Sequence, residues 1–340
     1  MTADKLKFAI DDGSTNVKVS WISAGKVHCV TSPNSFRKDW KSAALLNGKK
    51  IYNYKIGSTK YTYDATSDRA LSTTHVAFQY DDLNLLSVHH ALLQTGIAPC
   101  PVSILVTLPI TEYYNADDCQ KNEANIARKK ANLLRDISLN KGQLFEIVDV
   151  EVLPESLPAV LTTLVDSGIN QFTKSLVIDV GGTTLDMGVI VGEFDDVSSV
   201  YGNASIGVSM VTDTARKALA AADSDASYLV ANELIKNRHN RDFACEVIND
   251  LTKVDWVLEC IENKIEELGN AIAYEAKTFM RNPNRVYLVG GGAMLIVDAI
   301  QAAYPSLGDK IVLLESPQEA LSRELCCYHA AESAAEPDAA

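Results

Sequence analysis

No run of apolar residues in this chain approaches the roughly 20 that a membrane-spanning helix needs, so no helical span is expected. The opening residues also lack the apolar stretch of a secretory signal, with Asp11 and Asp12 standing where one would be, and the expected location is cytoplasmic. Basic residues are in deficit: 31 Lys and Arg face 44 Asp and Glu, a formal charge of −13. A large nucleic-acid footprint needs clustered Lys and Arg to displace counterions, so any DNA is expected to be reached through a partner. The seven cysteines include the adjacent pair Cys326 and Cys327 but no Cys-x-x-Cys spacing, which supports neither a disulfide framework nor a zinc site. What is present is 340 residues, 47% hydrophobic and 22% charged, enough for two folded cores and too apolar for extensive disorder.

The chain is organised around Ser175 to Met187, SLVIDVGGTTLDM. Its first six residues read as a short buried strand, with Asp179 at the carboxyl end. Gly181 and Gly182 let backbone N–H groups approach an anion, and the hydroxyls of Thr183 and Thr184 add donors for phosphate oxygens. A carboxylate beside a phosphate is repulsive unless a cation lies between them. Mg²⁺ with a nucleotide polyphosphate is therefore the natural occupant, with Asp179 holding the ion directly or through its water shell. A single copy of this pattern also fits a plain hairpin turn. The pattern occurs twice, however: Phe8 to Val19 reads FAIDDGSTNVKV, and laying Asp11 on Asp179 puts Ile10 on Ile178, Gly13 on Gly181 and Thr15 on Thr183. The recurrence predicts two similar halves whose turns clamp one phosphate chain. Lys18 and Asn16, just after the first turn, are candidates to reach back to it.

Residues 6 to 31 read as three strands, and 34 to 68 as a small inserted subdomain in which Tyr52, Tyr54, Tyr61 and Tyr63 share one half-buried sheet face. A helix is expected over 81 to 95, where the adjacent His89 and His90 point different ways and make poor joint metal ligands. After a buried strand at 102 to 108, the Lys- and Arg-rich helix near 120 to 136 reads as a solvated face. A strand over 145 to 153 is closed by Pro154, which places Glu155 at the same carboxyl edge as Asp11 and Asp179, where parallel sheets bind ligands. A helix-capping role for Glu155 ahead of 157 to 165 is the alternative. In the second half, strands at 175 to 191 and 197 to 202 precede helices at 209 to 221, 226 to 237 and 251 to 280. The last carries an apolar stripe from Val254 to Ile272 that reads as core. Gly202 to Gly207 has the outer spacing of a Walker A loop, but Val208 stands where its Lys must be. A strand over 285 to 289 runs into Gly290, Gly291 and Gly292, where the backbone can pass flat against a ring or a ribose. A final helix is expected over 317 to 330, followed by a disordered AAESAAEPDAA tail.

Two Asp-x-Gly turns, a carboxylate between them and a late triple-glycine turn resemble the ATPase superfamily of actin, the Hsp70 chaperones and the sugar kinases. Within it, IDDGSTNVKVSW, TSPNSF, VHHALLQTG, TLPITEYY, LPESLPA, VIDVGGTTLD, IGVSMVT and YLVGGGAMLI, in this order, resemble the ParM (StbA) family of actin-like plasmid-segregation proteins. The likeness runs from about residue 6 to about residue 300 and thins in the insert at 45 to 70 and in the last 30 residues.

The resemblance implies an α/β actin-like ATPase fold, two similar α/β domains around a nucleotide cleft, each with a smaller inserted subdomain. Domain I would span 1–165 with an insert at about 34–80 and the helix 317–330 returning to it. Domain II would span 166–316 with a helical insert at about 209–280, leaving 331–340 as a disordered tail. The resemblance further implies hydrolysis of ATP, with GTP as the alternative, together with Mg²⁺, and filaments of the protein itself. Plasmid DNA would be held through a DNA-binding adaptor at the centromere, without a membrane. Carried over residue by residue, Asp11, Gly13, Ser14, Thr15, Asn16 and Lys18 match the first phosphate motif, and Gly181, Gly182, Thr183 and Thr184 the second. Glu155 and Asp179 match the acidic catalytic positions, and Asp11 and Asp179 hold the metal through water. Gly290, Gly291 and Gly292 match the adenosine motif, with Gly207 and Met294 as further nucleotide contacts. The competing member of the superfamily is a sugar kinase, which needs an acceptor pocket and an Asp base that the sequence does not display. No peptide-binding domain of a chaperone and no basic amphipathic terminal helix of a membrane-bound relative is expected either.

The charge deficit generates the first prediction. At physiological salt the protein alone retains no DNA fragment sequence-specifically, as measured by filter binding across a fragment library; specific retention without a second protein contradicts it.

Overall fold

The computed structural model describes residues 6–42, 50–67, 69–115 and 120–335. In chain order the first half contributes β1 (Leu6–Asp12), β2 (Asn16–Ser23), β3 (Lys26–Pro33), β4 (Phe36–Lys38), β5 (Asn53–Ile56), β6 (Thr59–Tyr63), α1 (Asp82–Gln94), β7 (Pro101–Leu108), α2 (Ile110–Tyr113), α3 (Glu123–Leu133), β8 (Ser138–Leu139), β9 (Glu146–Pro154) and α4 (Leu161–Asp166). The second half contributes β10 (Lys174–Val180), β11 (Leu185–Val191), β12 (Asp196–Asn203), α5 (Ser209–Ala221), α6 (Tyr228–Lys236), α7 (Arg241–Val247), α8 (Val254–Phe279), β13 (Arg285–Val289), α9 (Ala293–Ala303), β14 (Ile311–Leu313) and α10 (Ala320–Ala335). Strands β4, β8 and β14 and helix α7 are additions to the sequence reading, each too short for its period to stand out. Helix α10 runs on to Ala335, where disorder was expected from Ala330; its Ala-rich end has high helix propensity. Residues 336–340 lie outside the described residues.

Two five-stranded sheets have the same design, β3-β2-β1-β7-β9 and β12-β11-β10-β13-β14. In each, the first three strands are antiparallel and the remaining two join in parallel. The internal repeat read from the two acidic turns is therefore a repeat of sheet topology. Its register holds as well: Asp11 pairs with Lys18 across β1 and β2, and Asp179 with Asp186 across β10 and β11.

Alternation along the central strands divides the apolar residues among three cores. Ile10 faces a core shared with α1 and the small sheet β4-β6-β5-β8, and Ile178 faces one built with α5, α8 and α9. Ala9 and Val177 face a third core that contains residues of both sheets, the 157–164 segment and Leu321 and Leu325 of α10. The stripe on α8 is core, with Val257, Ile261, Leu268 and Ile272 inaccessible to solvent. Among the described residues no helix is long and apolar enough to cross a membrane.

The tyrosine-rich insert closes over His90. Tyr54 and Tyr61 are cross-strand partners and buried, Tyr63 stacks on the imidazole at 3.7 Å, Tyr52 meets it edge-on at 4.7 Å, and the Tyr54 hydroxyl lies 2.8 Å from Nδ1. Burial pushes the His90 pKa down to about 3 and that of His89 to about 4, so both rings are neutral at physiological pH. His90 acts as a polar peg that fastens the inserted sheet to α1.

The helix expected as a solvated face carries a fully buried cation. Lys129 of α3 is 0% exposed and pairs with Asp12 Oδ2, with Gln79 Oε1 and with Asn84 Oδ1 at 3.2 Å. Asn84 also donates to Asp12 at 2.7 Å, and Asp12 accepts from the Thr107 backbone N–H at 3.2 Å. A Lys among Lys and Arg neighbours carries no sequence mark that it alone points inward.

Removing one member of such a pair strands the other charge in the interior. Lys129→Ala is expected to lower the unfolding free energy by about 3–5 kcal/mol, and adding Asp12→Asn to recover part of that loss. Urea denaturation of the parent, both single variants and the double variant measures it; additive losses would mean the two side chains are not coupled.

Candidate functional site

The carboxyl ends of β1, β9 and β10 meet around one cavity of about 370 Å³. Asp11, Gly13, Ser14, Thr15, Asn16, Lys18, Glu155, Asp179, Gly181, Gly182, Thr183, Thr184, Gly290, Gly291 and Met294 all line it. Gly207 and Gly292 do not; they stand one layer behind the second turn. A Cβ on Gly207 would lie 2.7 Å from the Thr183 carbonyl carbon, and one on Gly292 would lie 2.6 Å from Val180 Cγ1. Their absent side chains let the start of α5 and the turn after β13 press against Gly181 and Gly182, with Ser209 N–H donating to Gly182 at 2.8 Å and Gly292 N–H to Val180 at 2.9 Å.

The two acidic turns touch. The Ser14 and Thr183 hydroxyls are 2.6 Å apart, and a Cβ on Gly182 would fall 2.3 Å from Thr15 Cγ2. Asn34 braces the first turn by donating from Nδ2 to the Gly13 and Ser14 carbonyls at 2.9 Å each. Gly290 holds φ at +87° and leaves no room for a side chain, since a Cβ would sit 2.1 Å from Asp179 Oδ1. The triple-glycine turn thus lies directly against the second acid.

Charge in the cleft is unbalanced. Lys18 Nζ lies 2.9 Å from Asp11 Oδ2, and although burial alone would lower the Lys18 pKa, Asp11 chiefly, with Asp179 and Glu155, raises it, keeping the ammonium charged. Asp179 is pushed up to about 6, mostly by burial, with the Ser156 hydroxyl and Lys18 opposing and Asp11 adding to the rise. Glu155 is raised well above the carboxylate range by burial and then by Asp186, Asp11, Asp179 and Asp12; its Oε1 is buried without a partner. Glu155 and Asp179 are half-buried and open onto the cavity. Glu155 is followed by Ser156 at φ +73°, a left-handed position for a residue with a side chain, which is held by the fold at an acid in the cleft. No cap hydrogen bond from a side chain is made at the start of the 157–160 turn, so the structure gives Glu155 no capping task.

Asp186 is the acid that sequence reasoning passed over. It is 2% exposed, its Oδ1 lacks a partner, and burial, with Asp179 adding, pushes it up to about 7. The signal was present: the offset that lays Asp11 on Asp179 also lays Lys18 on Asp186. Tyr228, Asn232, Glu233 and Lys236 of α6, and Gln318, line the far end of the cavity, and no spacing in the sequence marks them. Among the described residues no three His, Cys, Asp or Glu side chains converge as direct ligands of one ion. The donor set suits a cation held through its water shell and a phosphate chain rather than by direct protein ligands.

The family profiles described as plasmid segregation protein ParM, N-terminal, and plasmid segregation protein ParM, C-terminal, match residues 6–166 and 169–328. Among solved structures, a non-polymerisable quadruple mutant of pCBH ParM aligns at 15% identity and a TM-score of 0.69, covering 96% of this chain and 100% of that one. A 15-stranded ParM filament from Clostridium botulinum aligns at 17% identity and 0.68, covering 96% and 99%. Ta0583, an archaeal actin homologue in complex with ADP, aligns at 18% identity and 0.66, covering 95% and 99%. At these identities the likeness establishes an actin-like fold. No curated protein matches the sequence.

The acid excess fixes a pH dependence. A carboxylate whose folded pKa is raised favours the folded state below that pKa and costs stability as pH climbs through it, here over the interval from 3.8 to about 7 for Asp186. The neutral His89 and His90 act oppositely below about 6.5, so a variant comparison isolates the acid. Asp186→Asn is expected to melt above the parent at pH 8, with the gap narrowing as pH falls below about 7. Differential scanning calorimetry in nucleotide-free buffer checks it, and a gap that widens on acidification contradicts it.

Proposed function

The chain belongs to the family of the plasmid-segregation protein ParM, and from that premise we propose an ATPase that assembles with copies of itself and moves plasmid DNA through a DNA-binding adaptor. The observation that carries the reading is the cleft itself: two contacting turns from two equivalent sheets, the Lys18 ammonium beside Asp11, and the Glu155 and Asp179 carboxyls opening onto the same cavity. Such a site repels a bare anion and welcomes a polyphosphate that arrives with a cation. The ADP complex of the archaeal actin homologue supports nucleotide as the ligand, and the Clostridium botulinum ParM filament supports self-assembly.

The chain's own residues suit phosphoryl transfer to water, a reaction that needs positioning and charge neutralisation more than covalent help. Mg²⁺, when bound with ATP, supplies charge neutralisation along the phosphates. Lys18 and the turn N–H groups neutralise phosphate oxygens, and the Ser14 and Thr183 hydroxyls donate to them from opposite sides. Asp11 and Asp179 order water at the phosphate chain. Glu155 orients the attacking water. Because the two turns belong to different sheets, the water is aligned only when the halves are closed on each other. Assembly that favours closure therefore favours hydrolysis.

Losing one positioned acid or base costs roughly 10²- to 10⁴-fold in rate. Glu155→Ala is expected to bind ATP and assemble like the parent, but to hydrolyse that much more slowly and to leave filaments that persist. Phosphate release and light scattering followed in one sample measure it. Hydrolysis within a few fold of the parent would remove Glu155 from the chemistry. Phosphorylation of common hexoses by the parent, without ATP-dependent pelleting, would replace the filament reading with that of a sugar kinase.

A further inference from the structure

Gln79 lines the cavity without belonging to either acidic turn. It lies in the single turn of 3-10 helix, Val76–Tyr80, that leads into α1, is 4% exposed, and shares the cavity with Asp11, Lys18 and Glu155. Its side chain meets the Lys129 ammonium, whose other acceptors are Asp12 and Asn84. An ammonium has three donors and no acceptor, and these three partners fill it. The Gln79 atom against Lys129 must therefore be the carbonyl oxygen, which removes the usual ambiguity of an amide. Its Nε2 group is thereby the end turned away from Lys129, on a side chain that lines the cavity. Asp12 directly follows Asp11, so the ammonium and Gln79 are tied to the end of β1, where Asp11 and Gly13 face the cavity.

We propose that Gln79 is a specificity-determining donor to the terminal phosphate of a bound nucleoside triphosphate, held in that orientation by Lys129. A buried ammonium that touches no nucleotide thereby fixes the polarity of an amide that does. The diphosphate has no group at that position, so the contact separates the two nucleotides. The inference rests on the nucleotide reading of the cleft.

Calorimetry with magnesium and either ADP or a non-hydrolysable ATP analogue tests it in the parent, Gln79→Ala and Gln79→Glu. Gln79→Ala loses one hydrogen bond to a charged group and is expected to bind the analogue about 10- to 100-fold more weakly, with ADP affinity held within about 2-fold. Gln79→Glu keeps an oxygen for Lys129, so the buried network survives, but presents a carboxylate to the phosphate; it is expected to bind the analogue more weakly still. If Gln79→Ala fails to fold, Gln79→Glu alone decides the outcome. Equal weakening of both nucleotides, or an unchanged analogue affinity, overturns the role of Gln79 and leaves the nucleotide reading standing. A parent that binds neither nucleotide overturns both.

Discussion

Uncompensated negative charge at the strand ends governs the rest of the cleft. Asp11, Glu155 and Asp179 act on the Lys18 ammonium, whose direct partner is Asp11, and Asp186 stands behind them as the cross-strand partner of Asp179. Desolvation and mutual repulsion raise three of the four acids. The protein offers no direct three-ligand cage for a cation among the described residues, so neither an anion nor a bare ion satisfies the site. The proposed polyphosphate and divalent ion together would. The glycines follow from the same need, because only a backbone without Cβ lets the two turns and the triple-glycine segment close to contact around that charge.

The repeat explains how one chain makes such an asymmetric site. Both sheets have the same strand order and both central strands end in an acid at the same register. Seven positions further on, the equivalent residues carry opposite charge, Lys18 in one half and Asp186 in the other. Residues of both sheets share the third core with α10, which returns to the first half through the Ser20 and Ser322 hydroxyls, 2.9 Å apart. Movement of one half against the other must be accommodated there.

A second buried charge obeys the opposite rule. Asp12 and Lys129 compensate each other, with Asn84, Gln79 and Thr107 completing their bonds, and the His90 ring nearby stays neutral within its aromatic surround. These networks fasten α1, α3 and the inserted sheet to β1. Neighbouring residues of one strand, Asp11 and Asp12, thus serve a site kept short of positive charge and a scaffold that is fully paired, because alternation sends their side chains to opposite faces.

Local pattern was enough for much of this protein. The strand-acid-glycine-hydroxyl order, its recurrence, Pro154 ahead of Glu155 and the three glycines after β13 are short-range features, and they made legible the central strands, the main helices and part of the cavity lining. Elements of two or three residues, such as β8 and β14, lay below any periodic signal. The inward course of Lys129 was invisible because burial is decided by what packs over a helix, and its neighbours in sequence are equally polar. Gly207 and Gly292 were read as ligand contacts because a glycine looks the same in sequence whether a phosphate or another backbone approaches it. By itself the sequence determined the two acidic turns and the chemistry they suit, since those depend on residues a few positions apart. Only the tertiary structure decided that Glu155 and Asp186 share one deficit of positive charge and that Lys129 orients Gln79, because residues far apart in the chain interact only once folding has removed the water between them.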